Sequence, residues 1–194
     1  MTSKPFLSFL KKHKSNILFG LVILLLIIPQ TRMPIQVFVQ RIIAFSPSTI
    51  SEEKRETIQD YSWRLRDLNG TSNTMEDSKN QVIIVNLWAT WCPPCIAEMP
   101  SFQELYNDFG DRVDFYFVSN EKSETLHRFM EKHSYKFPVY QPLEEAPAKL
   151  NSNALPTTYV INKKGEIIIK KTGVADWNSL KMRALLNELI AEEI

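Results

Sequence analysis

Cys92 and Cys95 are the only cysteines among 194 residues, and they stand three positions apart in the run Trp91-Cys92-Pro93-Pro94-Cys95. A helix that begins near Cys92 carries position i+3 onto the same face one turn later, so the two sulfurs can close a small, reversible disulfide ring. At a helix start the Cys92 thiolate meets unpaired N–H groups and the positive end of the helix dipole. Both lower its pKa and favour it as the attacking nucleophile. Cys95, a turn deeper, is placed to resolve a mixed disulfide by attacking Cys92. Glu98 follows one turn later on the same side and is a candidate acceptor for the proton of Cys95, directly or through one water. Position alone also suits an ordinary acidic residue in an early helical turn. Pro93 and Pro94 fit the first turn, where N–H groups have no intrahelical partner to lose. They also remove two possible donors to the Cys92 sulfur, which leaves the thiolate less stabilised and predicts a reductant over a strong oxidant.

The elements that must hold these residues are legible around them. Gln81 to Trp88 is β-branched and apolar, the pattern of a buried strand, here expected over Val82–Ala89. Pro93–Phe109 reads as a helix with Pro100 inside it. Upstream, Ser62–Arg66 alternates and meets Asn69-Gly70, a strand and a turn. Downstream follow a strand at Val113–Ser119, a helix at Ser123–Lys132 capped by Ser123, and a short extended piece at Phe137–Tyr140. A loop with one helical turn at Ala146–Leu150, a hairpin of Thr157–Ile161 with Ile167–Lys171, and a closing helix at Asn178–Glu192 complete the order. That succession predicts an α/β fold, helices layered on a mixed central sheet.

Composition narrows the function classes. The net charge of +1, with both signs interspersed, leaves no electrostatic footprint for nucleic acid. Two cysteines cannot staple a secreted scaffold and supply half of a structural zinc site; His13, His127 and His133 lie far away in sequence, so no metal is expected.

The first sixty residues do not read as folded core. Lys4, Lys11, Lys12 and Lys14 precede the unbroken apolar run Ile17–Ile28, and no small-x-small cleavage site follows at the right distance. A retained anchor is expected: a basic cytoplasmic tail over 1–14, a transmembrane helix over 15–32, a juxtamembrane segment over 33–60 and a folded domain over 61–194. Seventeen residues from Ser15 to Thr31 give a helix of about 25 Å at 1.5 Å per residue, short but workable. Ile35, Phe38, Val39, Ile42 and Phe45 recur at helical spacing opposite Gln36 and Gln40. An interfacial helix and a plain amphipathic connector are equally compatible with that pattern.

From about Tyr61 onward the chain resembles the thioredoxin superfamily, most closely its membrane-anchored TlpA/ResA-type thiol–disulfide oxidoreductases. The resemblance is carried by Val85-Asn-Leu-Trp-Ala-Thr-Trp-Cys-Pro-Pro-Cys-Ile-Ala-Glu-Met-Pro100 and, later, by Leu155-Pro156-Thr157-Thr158. Asn86 occupies the place where thioredoxins carry a buried aspartate, and the TlpA/ResA-like branch looks to the position of Glu98 instead. The resemblance implies a thioredoxin-like fold and a cis bond before Pro156, with Leu155 offering its backbone to an extended substrate. It also implies protein disulfides or thiols as substrates, a transmembrane electron donor, a domain on the periplasmic or extracytoplasmic side of the inner membrane, and a role such as cytochrome c maturation. Trp91, Pro93, Pro94, Leu155 and Pro156 are the expected docking residues, and Trp88 is expected in the core. The redox-active Cys92–Cys95 disulfide is expected to work without a further cofactor. A copper-binding chaperone on the same fold is the main alternative. A peroxidase would need a lone reactive cysteine, and Asn120 and Glu121 are expected in a solvated loop.

Overall fold

The computed structural model describes residues 13–193, so the basic positions Lys4, Lys11 and Lys12 lie outside the described residues. Among the described residues seven strands and three α-helices form the domain: strands β1 (Arg64–Asp67), β2 (Ser72–Thr74) and β3 (Val82–Leu87), helix α3 (Pro93–Phe109), β4 (Val113–Val118), α4 (Ser123–His133), β5 (Val139–Pro142), β6 (Thr157–Ile161), β7 (Ile167–Thr172) and α5 (Leu180–Ala191). Helices α1 (Lys14–Ile27) and α2 (Pro29–Ile42) precede them. The seven strands make one sheet in the order β2-β1-β5-β4-β3-β6-β7. Pairings β3–β4 and β4–β5 are parallel and the others antiparallel, so the sheet is mixed, as expected.

β3 lies inside the sheet, between β4 and β6, and its alternation sorts the core. Val82 and Ile84 join a cluster with the inward residues of α3, α4 and α5. Ile83 and Val85 join a second cluster on the other face with Trp63, Leu65, Met75 and Tyr159. Asn86 is in phase with Val82 and Ile84, which turns a polar side chain towards the helix layer.

Three local expectations change. Ser123 is the first residue of α4, not its cap; Lys122 holds the cap position and no side-chain cap bond forms. Ala146–Leu150 forms a turn closed by the Leu150 N–H on the Pro147 carbonyl, without a helix. The continuous helix expected over 15–32 breaks at Ile28, which is extended (φ −71°, ψ 119°). Pro29 is the cause, because its ring excludes the helical region for the residue before it, while proline itself suits the start of α2. Among the described residues no single helix is long and apolar enough to cross a membrane; α1 and α2 qualify only as a pair, bent by 91°.

The stretch before residue 61 is not a free spacer. Pro47 and Ile58 are buried, and the N–H groups of Ile50, Ile58 and Ile167 donate to the carbonyls of Ile168, Gly165 and Glu56 respectively. Arg55 pairs with Glu166 at 3.3 Å.

Candidate active site

Strand β3 ends at Leu87, and a short turn delivers the chain to Cys92, which is the N-cap of α3. Pro93 and Pro94 form the first turn, so the first available helical N–H belongs to Cys95. It donates to Cys92 Sγ at 3.3 Å, the sulfur taking the place of the oxygen that usually caps a helix. Cys92 and Cys95 are joined by a disulfide with a Cα–Cα distance of 5.2 Å. Cys92 is 3% exposed and Cys95 fully buried, whereas Trp91 beside them is 62% exposed.

Glu98 lies one turn below Cys95 on the inward face of α3, among apolar neighbours, and is 1% exposed. Its Oε1 accepts from Asn86 Nδ2 at 2.8 Å and its Oε2 from Trp177 Nε1 at 3.0 Å. Asn86 Nδ2 also donates to Thr158 Oγ1 at 2.8 Å, two residues beyond the Leu155–Pro156 bond. Burial raises the pKa of Glu98 to about 8, although the donors Trp177, Asn86 and the Ala175 backbone favour the carboxylate. The glutamic acid is therefore poised to exchange a proton near neutrality, the condition for a general acid–base group.

The Leu155–Pro156 peptide bond is cis. Pro156 is buried at the start of β6, its carbonyl accepting from the Gly173 N–H, and Leu155 packs against the cluster that contains both cysteines. Trp91 and Leu155 line a groove of about 680 Å³ with Trp63, Trp88, Leu143 and Glu121. Pro93, Pro94 and Pro156 do not line it. Trp88 is 1% exposed and packs against Phe129, in the core as expected.

Two features escaped the sequence. Trp177 precedes the closing helix, and nothing in its neighbourhood indicates a bond to a glutamate 79 positions earlier. Glu121 is not a solvated loop residue: its carboxylate accepts from the Thr90 N–H at 2.6 Å and from Thr90 Oγ1 at 2.7 Å, pinning the turn that leads into Trp91 and Cys92. Its place just past the carboxyl end of β4 was the available signal. The side chains His127 and His133 are engaged elsewhere, with the Leu68 carbonyl and against Tyr135. Among the described residues no group of three or more His, Cys, Asp or Glu could hold a metal ion.

Residues 55–170 match the AhpC/TSA family. The thioredoxin-like protein YneN of Bacillus subtilis is 32% identical over 127 residues, which covers 63% of this chain and 74% of that protein. The thiol–disulfide oxidoreductase ResA of Halalkalibacterium halodurans is 32% identical over 114 residues, 56% of this chain and 64% of the relative, so just under two thirds of ResA is spanned. Among solved structures, a DsbF homologue from Corynebacterium diphtheriae superposes with a TM-score of 0.56 at 21% identity, covering 73% of this chain and 93% of that one. That likeness fixes the thioredoxin-like fold.

Proposed function

We propose that this chain, which belongs to the AhpC/TSA family and has a thioredoxin-like fold, is a membrane-anchored thiol–disulfide oxidoreductase that reduces disulfides of other proteins outside the cytoplasm. The observation that carries the proposal is a disulfide at the N-cap of α3 with a buried, readily titrated carboxyl one turn beneath it.

In the reduced protein the Cys92 thiolate attacks one sulfur of a substrate disulfide. A mixed disulfide forms and the other substrate sulfur leaves as a thiolate, which takes a proton from solvent. Glu98 as carboxylate then accepts the proton of Cys95. The Cys95 thiolate attacks Cys92, the mixed disulfide breaks, and the second substrate sulfur departs reduced. Two electrons pass from the cysteine pair to the substrate, which leaves the Cys92–Cys95 bridge, the form seen in this structure. A membrane dithiol carrier would restore the pair by the reverse sequence. Trp91, Leu155 and the groove between them would receive the substrate segment, and Pro156 would fix the Leu155 backbone for strand-like pairing.

Helix α1 supports the anchor, because Ile17, Leu18, Phe19, Leu21, Val22, Ile23, Leu24 and Ile27 are exposed around it with no protein covering them. The lysines ahead of it favour a cytoplasmic amino terminus by the positive-inside rule, with the domain on the other side. Cys95→Ala in the native membrane tests the proposal, since it stalls the cycle at the mixed disulfide. Trapped envelope proteins with paired thiols are expected, apocytochrome c first among them. A variant that captures no protein through Cys92 would remove the proposed activity.

A further inference from the structure

Helix α2 is amphipathic with its faces reversed relative to a helix packed on a core. It lies against α3, and the side turned to the domain carries Gln36, Val37 and Gln40, of which Val37 meets the core cluster. The side turned away carries Ile35, Phe38, Val39 and Ile42, with Phe38 and Ile42 each 66% exposed. Phe45 continues the patch at 78% exposure. An apolar strip of this length facing outward from a folded domain marks an interaction surface.

We infer that the outward face of α2 lies in the headgroup–acyl boundary of the outer leaflet, so that the domain is seated on the bilayer. This inference rests on the anchor reading of α1. Three observations select lipid over a protein occupant. First, the strip is continuous with α1, whose described side chains are exposed and apolar from Ile17 to Leu25 and at Ile27, and the 91° bend at Ile28 turns a crossing direction into an in-plane one. Second, the lengths agree. Fourteen residues of α1 span about 21 Å at 1.5 Å per residue, against a hydrocarbon thickness of about 30 Å. An amphipathic helix sinks about 5–10 Å into the boundary, which closes that gap. Arg32, Gln36, Gln40 and Arg41 bar α2 from the hydrocarbon centre, where a charged side chain is costly.

Third, the link between α2 and the domain is tied to it at three successive residues. The Phe45 carbonyl accepts from the Asp176 N–H at 3.0 Å, Ser46 Oγ accepts from Ser179 Oγ at 2.9 Å, and Pro47 is buried. A bilayer-seated α2 therefore sets both the height and the tilt of the domain, including the N-terminus of α3 where Cys92 waits.

The test uses the full chain in vesicles of phosphatidylcholine and phosphatidylglycerol, with the photoreactive residue p-benzoylphenylalanine placed singly at Phe38, Gln36 or Leu21. Lipid adducts at 38 and 21, with adducts to the chain's own domain at 36, are the expected result. Lipid adducts at 21 with chain-to-chain adducts, or none, at 38 would overturn the seating while leaving the anchor intact. Absence of lipid adducts at both 21 and 38 would overturn the anchor and the seating together.

Discussion

On one flank of the Cys92–Cys95 bridge Trp91 stands exposed at the rim of an open groove, and on the other Glu98 is sealed among Asn86, Thr158 and Trp177. In the proposed cycle the open flank receives a segment of another protein, and there the chain offers aromatic surface and a turn held by Glu121. The sealed flank has only a proton to move. Burial there does chemical work, because excluding water raises the affinity of the carboxyl for a proton until it titrates near the pH at which a thiol must be activated. On the proposed reading, substrate contact and proton transfer fall on opposite sides of one helix turn, and each side can be perturbed separately.

Glu98→Gln is the largest expected perturbation of the sealed flank. It should slow release of the reduced substrate by roughly 10²-fold at neutral pH, the usual scale for losing a positioned general base. The rise in that rate through about pH 8 should disappear. Stopped-flow release of substrate thiol across pH reads both. The same variant reports on stability. A folded-state pKa of about 8 lies above the unfolded value near 4.5, so between those pH values the native protein holds a proton that the unfolded chain has released. The contribution of Glu98 is full below about pH 4.5 and is lost as pH rises through 8. Thermal unfolding should thus show the Gln variant gaining on the parent between pH 5 and pH 9, by a few kcal/mol at the upper end.

Trp177→Phe is a finer cut. The ring stack with Phe102, 5.0 Å between centroids, is kept while the N–H donated to Glu98 is lost. A hydrogen bond to a charged group contributes about 1.5–3 kcal/mol, so the carboxylate is less favoured and the inflection should move above pH 8. The smallest effect sharpens the separation of the flanks. Glu121→Ala frees the Thr90 N–H and hydroxyl, and should raise KM for a protein disulfide several-fold without moving the pH inflection. A shifted inflection would show that the flanks are coupled.

How much of this was legible follows from what each feature depends on. The hydrophobic runs of β3, β4 and β6 and the start of α3 at Pro93 depend on local pattern, and they were readable. Glu98 was readable as a position, since i+3 spacing fixes its face. Its partner Trp177 was not, because that bond is made only when β7 and the segment before α5 fold back over α3. Asn86 stands out in the sequence as a departure from the thioredoxin pattern, but its donation to both Glu98 and Thr158 depends on the β3–β6 pairing that sets Asn86 opposite Thr158. The break at Ile28 is written locally in Pro29, which disfavours the helical region for the residue before it even inside an apolar run. The reversed polarity of α2 required knowing which of its sides the domain would take.

The most direct measurement is a redox titration of the full chain in detergent against glutathione and dithiothreitol, followed by the mass added on thiol alkylation. A single, reversible two-electron transition of Cys92 and Cys95, with a midpoint at or below that of glutathione, is the predicted result. A bridge that no dithiol buffer can open and reclose, or a midpoint far above glutathione, would contradict the account.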